Sequence, residues 1–514
     1  MTAEDSTRSV AALPADRTLA PTRSYRLSDQ DALFIYAEGE SNPLHIGSIG
    51  IFDGRLDFAQ LKEHIASRLH LVPRYRQRLR RTPFNLAHPV MEDDPGFRIE
   101  NHVFRHPLGR GIHEPDAIEE MMRCFELRLD RSHPLWQIHV FEGLEDERTA
   151  LVSKVHHALV DGIAGVELLK VMLDPAPNMQ PVEAPSFEPQ APSSRFQRLA
   201  AALRQQAAKP LRIMRQCEPG SKGLDENLKM IAGSARLLAE FVKQPIVSAP
   251  WNAGLVSRRR LLKWSRFPFA EVEAIRGALG GSVNDVALTA LTEAAARYLA
   301  HHGHRVEGRF IRVGCPVNVR RQQEQSALGN RVSMVFPMMP AWPMGVAERL
   351  RLVSRETRHI KDARLAQALE RLMALGGELT PPFLTSLASR TGIAALGSFS
   401  LLLRASDYRP RPDRVAVPSF GINFLATNIR GIQMPLYILG HRCSAQIPLV
   451  PLAATLGYAV AILSYDQSLF FGMLADPYLM PDLALMKSFV EQAFNELSSR
   501  RLLKQAEAGI AAAR

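Results

Sequence analysis

Two adjacent histidines, His156 and His157, are followed by Asp161 and Gly162 in the pattern HHxxxDG. Imidazole has an ordinary pKa of about 6.5, which suits proton transfer near neutral pH. An apolar run precedes the histidines and an amphipathic run follows Gly162. The pattern therefore predicts a short loop between a strand and a helix, where α/β proteins often carry reactive groups. Because adjacent strand residues point opposite ways, one histidine should face the core and the other a cleft.

The rest of the chain limits the chemistry that these histidines could perform. No GxSxG motif is present, and Cys315 is predicted to lie in a buried strand, which makes it a poor nucleophile. We therefore predict direct general-base catalysis, in which histidine takes a proton from a hydroxyl or amine that attacks an activated acyl donor. The alternatives are buried structural histidines or metal ligands. We predict no metal, because the HxH, HExxH and CxxC spacings are absent.

Length and composition indicate a globular protein of two or three domains. The chain has 514 residues, of which 46% are hydrophobic and 22% charged. Its four cysteines are far apart, which is typical of a reducing cytosol rather than of a disulfide framework. The polar segment before about Thr22 does not resemble a secretory signal, and no apolar run reaches 18 residues. These features predict a cytoplasmic protein without a transmembrane helix.

The formal net charge of +11 favours anionic partners. Phospholipid surfaces, nucleic acid and phosphate-bearing cofactors all fit such a charge. No signature of a nucleic-acid-binding module occurs in the sequence. We therefore expect a membrane surface or a phosphorylated carrier, and no nucleic acid.

Strands alternate with helices in both halves of the chain, which indicates the α/β class. Strands are predicted near 46–52, 138–144, 149–155, 310–319, 415–423, 457–464 and 469–474, and helices near 117–129, 162–173, 284–300, 347–372 and after Pro481. The predicted organisation is a disordered N-terminus at 1–22, a first domain at 23–174, a linker with a basic amphipathic region at 175–260, a second domain at 261–503 and a tail at 504–514.

The segment between the two halves has two distinct parts. Six prolines between Pro175 and Pro192 predict an extended tether. A basic amphipathic stretch at 195–214 follows, with an apolar face and a proline, Pro210, that should kink or split a helix. This stretch and the basic cluster at 258–266 suit an anionic lipid interface. The same residues could instead pack between domains, form a solvated turn or meet the phosphates of a phosphorylated carrier.

Further motifs narrow the interpretation. The HHxxxDG string resembles the signature of the chloramphenicol-acetyltransferase-like superfamily. Upstream, Pro134-Leu135-Trp136 is similar to the PLW motif of the bacterial wax ester synthase/acyl-CoA:diacylglycerol acyltransferase family, and Ser282–Val286 is similar to its SxxND block. The run from Leu27 through Phe34 and Glu38 to Gly47 resembles the family's opening, and later blocks follow in the family's order. One departure is Ile429-Arg430-Gly431, where the family more often has proline before glycine.

The resemblance implies two chloramphenicol-acetyltransferase-like α/β domains, joined by a Pro-rich crossover linker, with the active site at their interface. By this resemblance, His157 is the general base and Asn284 polarises the thioester carbonyl. The resemblance also implies which residues support the site structurally, namely His156, Asp161, Gly162, Arg320 and Asp285. Arg320 is the expected partner of Asp161. Asp285 could instead cap the following helix. Pro134, Leu135 and Trp136 are candidates for the substrate channel, although Trp136 could simply pack in the wall.

The family also implies the substrates. The donor would be a long-chain acyl-CoA, used as a co-substrate without any cofactor, and the acceptor a fatty alcohol or a diacylglycerol. Because such substrates are hydrophobic, we expect the protein to make peripheral contact with the inner face of a membrane or with lipid inclusions. Two alternatives remain: a condensation-type acyltransferase that uses another acceptor or a carrier-protein thioester, and a lipid-inclusion coat protein without enzymatic activity.

Overall fold

The computed structural model of the chain describes residues 24–159, 171–178, 182, 187–216, 245–318, 332–362 and 421–504. The predictions made for the N-terminus at 1–22 and for the tail beyond 504 lie outside these residues. So do Asp161, Gly162 and Arg320. The proposed pairing of Asp161 with Arg320, and most of the helix expected at 162–173, therefore stay predictions.

The described residues form strands and helices in alternation. The strands are β1 (Tyr25–Arg26), β2 (His45–Phe52), β3 (Gln77–Arg80), β4 (Val90–Asp93), β5 (Val103–Ile112), β6 (Trp136–Leu144), β7 (Thr149–His156), β8 (Leu261–Pro268), β9 (Phe310–Asn318), β10 (Val332–Val335), β11 (Met338–Pro340), β12 (Phe424–Ile429), β13 (Tyr437–Ile438), β14 (His441–Leu449), β15 (Tyr458–Tyr465) and β16 (Ser468–Ala475). The helices are α1 (Asp29–Ala37), α2 (Phe58–Arg68), α3 (Glu114–Phe125), α4 (Arg195–Gln216), α5 (Phe269–Leu279), α6 (Val283–His301), α7 (Val346–Asp362) and α8 (Leu483–Leu497).

The first large sheet has the strand order β13-β14-β2-β7-β6-β5. The β6–β7 hairpin pairs antiparallel across a turn at Glu145–Glu147, and β2 pairs antiparallel with β7, so that His45 lies opposite His156. Two of the six strands, β13 and β14, come from the second half of the sequence. The edge of β2 is therefore covered by a hairpin that arrives more than 380 residues later in the chain.

The second large sheet carries β10-β9-β12-β15-β16-β8, with β11 also paired to β9. Its centre is parallel, since β12 pairs parallel with both β9 and β15, while β15 and β16 form an antiparallel hairpin. Helices α6 and α8 pack against each other and contribute to a hydrophobic core that is separate from the core under the first sheet. The architecture is thus two α/β units, as predicted, with a strand exchange that joins them.

The two sheets meet where β14 passes close to β16. A Cβ atom at Gly472 would lie 1.9 Å from the carbonyl oxygen of Pro448. Real Cβ atoms do not approach a backbone oxygen so closely, and only glycine fits there. Gly472 therefore allows β14 and β16 to pack closely where the two units meet.

Most of the predicted elements are confirmed within one to three residues, including the hairpins around Glu145–Glu147 and Asp466-Gln467. The basic stretch forms a single helix, α4, that continues through Pro210, so of the expected kink or split the split is wrong and the kink stays a prediction. Near the predicted strand at 415–423, a strand begins only at Phe424, and 415–420 lie outside the described residues. Among the helices in the described ranges, none has both the length and the apolarity needed to cross a bilayer.

Candidate active site

A cavity of about 1450 Å³ lies between the two α/β units. Its wall includes His157 after β7, Asn284 near the start of α6 and Asn428 in β12. Most of the remaining lining is apolar and comes from both sheets. The tertiary structure therefore brings together two predicted site residues that are separated by more than 120 positions in the sequence.

His157 is the first residue after β7, and two contacts hold it at the cavity wall. Its backbone N–H donates to the carbonyl oxygen of Leu44 at 2.9 Å. Its ring stacks on that of Phe34, with 4.0 Å between centroids and 7° between planes. Phe34 belongs to α1, which Ser28 caps by accepting the N–H of Asp31. This stacking fixes the plane of the imidazole while the ring remains half-buried in the wall.

His156 points the opposite way and is fully buried. Its Nδ1 accepts the N–H of Ala158 at 3.0 Å, so the proton of the neutral ring lies on Nε2. Nε2 lies 3.6 Å from Oε1 of Glu38, and the backbone N–H of His156 donates to the Leu135 carbonyl at 2.9 Å. The prediction that the two histidines face opposite ways is confirmed.

Glu38 links His156, at the end of β7, to Leu44, which lies just before β2. Its side chain is fully buried, and Oε1 accepts the N–H of Leu44 at 3.1 Å. Oε2 accepts from Arg131 at 2.8 Å and from Arg128 at 3.3 Å. Burial opposes ionisation of Glu38, but the hydrogen bond from His156, together with the hydrogen bond and charge of Arg131, outweighs it and holds the pKa of this carboxyl well below its usual range.

The start of α6 forms another part of the wall. Ser282 and Asp285 form a reciprocal capping box, in which each side chain accepts the other residue's backbone N–H. Asp285 is buried and also accepts from the Thr357 hydroxyl at 2.8 Å, so it caps the helix, as the alternative interpretation held. The Oδ1 atom of Asn284 accepts from Asn428 at 3.4 Å, which leaves the Nδ2 hydrogens for another acceptor. A helix N-terminus favours negative charge beside it.

Of the three candidates for the substrate channel, Trp136 lies on the cavity wall, whereas Pro134 and Leu135 do not line it. Leu135 is fully buried, and its carbonyl holds His156. The indole of Trp136 stacks on Tyr75, with 4.7 Å between centroids, and donates to the Tyr75 carbonyl at 2.8 Å. This segment therefore supports the histidine strand and packs one side of the cavity.

Cys315 lies in β9 and also lines the cavity. Burial raises the pKa of its thiol to about 12. A thiol with this pKa is protonated at neutral pH and is a poor nucleophile. Cys315 therefore does not offer a nucleophile beside His157.

Three side chains that could bind a metal ion lie close together between β5, β6 and α3. They are His106, Cys124 and His139. The two histidines share a hydrogen bond of 2.9 Å, and the Cys124 sulfur is 3.9 Å from His106 Nε2. Beside them, the buried ammonium of Lys154 donates to the Cys124 carbonyl at 2.8 Å. Burial and the charge of Lys154 lower the pKa of His139 to about 3. The neighbouring ammonium of Lys154 opposes a cation here, and the lowered pKa of His139 leaves its ring neutral at pH 7.

Sequence reasoning assigned no role to Phe34 and Glu38, although both lie in the opening run. They are four residues apart at the end of α1, a spacing that places them on the same side of a helix. This four-residue spacing is the signal from which sequence reasoning could have inferred that the two residues act together. It did not show that this side would meet the histidines, because the contact depends on the pairing of β2 with β7.

Comparison with known proteins agrees with this architecture. Solved structures of similar fold include a wax ester synthase/diacylglycerol acyltransferase from Marinobacter aquaeolei, with a TM-score of 0.62 at 20% identity over 92% of this chain and 98% of that one. The first condensation domain of the calcium-dependent antibiotic synthetase has a TM-score of 0.57 at 14% identity, over 93% of this chain and 97% of that one. The fold is therefore the two-domain, chloramphenicol-acetyltransferase-like fold that condensation domains share.

Sequence comparisons define the family. Residues 27–287 match the wax ester synthase/diacylglycerol acyltransferase catalytic domain, and residues 328–498 match the C-terminal domain of the same family. The probable diacylglycerol O-acyltransferase Tgs1 of Mycobacterium tuberculosis is 30% identical over 92% of this chain and 95% of its own length. The chain belongs to the wax ester synthase/diacylglycerol acyltransferase family. The protein is accordingly an acyl-CoA-dependent O-acyltransferase.

Proposed function

We propose that the protein transfers a long-chain fatty acyl group from coenzyme A to the hydroxyl of a diacylglycerol or a fatty alcohol, with His157 as the general base. The observation that carries this proposal is the placement of His157 and Asn284, from different halves of the chain, on the wall of one largely apolar cavity. Its volume of about 1450 Å³ is large for a small-molecule site and suits two long hydrocarbon chains.

The chemistry requires one base and one site for a developing negative charge. His157 takes the proton of the acceptor hydroxyl as its oxygen attacks the thioester carbonyl. The tetrahedral oxyanion then lies against the Nδ2 hydrogens of Asn284 and the N-terminus of α6. When the carbon–sulfur bond breaks, His157 returns the proton to the departing thiolate of coenzyme A. The acyl group passes directly to the acceptor, without an acyl-enzyme and without a cofactor.

Residues packed around the two catalytic candidates support this geometry. Glu38 and His156 position the strand that carries His157, and Asp285 positions the helix that carries Asn284. The apolar lining of the cavity, which includes Leu33, Ile46 and Leu463, fits the hydrocarbon of both substrates better than it fits a peptide acceptor on a carrier protein. Because these lipids reside in membranes and inclusions, we place the protein in the cytoplasm, in peripheral contact with such a surface.

An acceptor screen tests the proposal. Purified full-length protein in detergent micelles receives palmitoyl-CoA with hexadecanol, with dioleoylglycerol or with no acceptor, and the release of free coenzyme A is followed. We expect acceptor-dependent release with at least one of the two lipids and the matching ester in the extracted products. Release that is independent of any acceptor, or no ester from either lipid, would contradict the proposal.

Replacement of Asn284 by alanine should lower kcat by about 10²–10³ with little change in the KM for palmitoyl-CoA, because the amide acts on the oxyanion rather than on the bound substrate. Thr357→Val is the matched variant, since it removes a hydrogen bond to the adjacent Asp285 without touching Asn284. If Asn284→Ala keeps the wild-type kcat, Asn284 does not stabilise the oxyanion.

A further inference from the structure

Helix α4 presents its apolar side to solvent. The sequence places Phe196, Leu199 and Leu203 along one side of this helix. Phe196 is 84% exposed and Leu203 is 53% exposed, whereas Arg198 and Ala202, on another side, are buried. The usual arrangement in a globular protein is the reverse, with the apolar stripe against the core.

Polar contacts explain this orientation. The guanidinium of Arg198 lies 3.9 Å from the buried carboxylate of Glu92 in β4, and Gln206 donates to the carbonyl oxygen of Leu86. Before the helix, the backbone N–H of Gln190 donates to Asp93 at 3.1 Å. The helix is therefore attached to the small sheet β1-β4-β3 by its polar side, and this attachment turns its apolar stripe outward.

A further exposed aromatic side chain lies in a turn that contacts α4. Phe84 is 80% exposed and lies in the turn Pro83–Asn85, which contacts α4. Its backbone adopts a positive φ of 57°, a conformation that a bulky residue rarely takes. Phe84, Phe196 and Leu203 are three of the seven large hydrophobic side chains that stand exposed in the described part of the chain. Grouping of such residues marks a docking surface rather than chance exposure.

The charge of α4 indicates the occupant of this surface. The sequence from Arg195 to Gln216 contains six arginine and lysine residues and no acidic residue. Arg195 and Arg204 are exposed beside the apolar stripe. An apolar stripe on a helix whose own sequence carries positive charges and no negative ones fits a layer of anionic headgroups above hydrocarbon. It fits a second copy of this chain poorly, because the two copies would bring like charges together.

The second basic cluster is available as a surface only in part, because Arg258, Arg259, Lys263 and Arg266 are exposed, whereas Arg260 and Trp264 make contacts within the protein. Arg260 is buried, its N–H donates to Glu126 at 2.8 Å, and its guanidinium donates to the carbonyl of Ser41 at 3.2 Å. Trp264 donates to Glu114 at 3.0 Å. Arg260 and Trp264 thus connect the two halves of the chain, so the suggestion that the whole cluster meets lipid or a phosphate-bearing partner is wrong for Arg260.

We propose that the exposed side of α4, together with Phe84, is the surface by which the protein docks on a membrane that contains anionic phospholipid. Phe84, Phe196 and Leu203 insert between the headgroups while Arg195 and Arg204 meet their phosphates. This docking rests on the proposed function in one respect: a lipid acceptor has to be taken from such a surface.

Vesicle flotation of the full-length protein tests the docking surface. Vesicles of phosphatidylcholine alone are compared with vesicles in which part of the lipid is phosphatidylglycerol. We expect the wild type to float with the anionic vesicles, less so in high salt, and to stay behind with neutral ones. The double variant Phe196→Ser with Leu203→Ser should lose at least about tenfold in partitioning, because two inserted apolar groups are removed.

The matched control is Leu255→Ser with Tyr478→Ser, which removes two side chains of similar exposure, 62% and 78%, from the second half of the chain. It should float as the wild type does. Unchanged thermal midpoints of both double variants show that the fold is intact.

Three results would overturn the proposal. The first is a wild type that fails to float, and the second is equal flotation of both double variants. In the third case, the wild type sediments as a dimer, and the Phe196→Ser, Leu203→Ser variant loses the dimer but still floats. The last result would make this side of α4 a protein–protein interface. Release of coenzyme A with substrates in detergent micelles needs no vesicle. A failure of docking is therefore distinguished from a failure of the proposed acyl transfer.

Discussion

Replacement of His157 by alanine should lower the release of coenzyme A from palmitoyl-CoA and a lipid acceptor by about 10²–10⁴. The imidazole is the group on the cavity wall best suited to take the hydroxyl proton, and its loss leaves the attacking oxygen protonated. Because His157 is half-buried and its backbone N–H makes the bond to Leu44, the variant should fold normally. The measurement is kcat in micelles, with the thermal midpoint as a check on folding.

His301→Ala provides the control for the loss of a histidine. His301 is exposed at the end of α6, away from the start of the helix that lines the cavity, and its variant should retain wild-type turnover. Phe34→Leu tests whether the orientation of the His157 ring matters for turnover, because it leaves the imidazole in place and removes its stacking partner. Without the stacking partner the imidazole plane is less well fixed, so kcat should fall by a smaller factor. If His157→Ala turned over at the wild-type rate, His157 would not be the base.

Replacement of Glu38 by alanine should lower the free energy of unfolding by about 3 kcal/mol at pH 7. The change leaves Arg131 without its carboxylate inside the protein, and the N–H of Leu44 without an acceptor. Glu38→Gln is the matched variant, since it keeps an oxygen for Leu44 but removes the charge, and its loss should be smaller. Urea unfolding of the three proteins measures the differences.

The pH dependence of this difference follows from the lowered pKa of Glu38. A carboxyl whose folded-state pKa lies below its unfolded value of about 4.3 contributes stability above that value. The contribution is lost as the pH falls through the folded-state pKa. The stability gap between wild type and Glu38→Gln should therefore be constant from about pH 8 to pH 5 and shrink below about pH 4. A gap that did not change on acidification would show that the charge of Glu38 is not what stabilises the fold.

Glu38 also acts on turnover through position. Its bond to Leu44 supports the carbonyl that accepts the N–H of His157. Glu38→Ala should therefore lower kcat with little change in the KM for palmitoyl-CoA, and Glu38→Gln should restore much of it. A merely structural role for Glu38 would change the amount of folded protein and leave kcat per folded molecule unaltered.

Local patterns in the sequence determined much of the fold. The β6–β7 hairpin follows from two apolar runs around Glu145–Glu147, and the opposite orientation of His156 and His157 follows from the alternation of side chains in any strand. The cap of α6 likewise depends on residues three apart, Ser282 and Asp285. Such features need only neighbouring residues, so the sequence alone was sufficient to predict them.

Only the tertiary structure decided the features that depend on distant partners. The sequence showed that α4 is amphipathic but could not show which side is buried, because that depends on Glu92 and the small sheet. The place of β14 in the first sheet depends on pairing with β2, and the roles of Phe34 and Glu38 depend on the pairing of β2 with β7. Long-range pairing is set by the packing of the whole chain, and no local pattern encodes it. The sequence by itself therefore determined the chemistry available at HHxxxDG, and the packed structure decided what surrounds it.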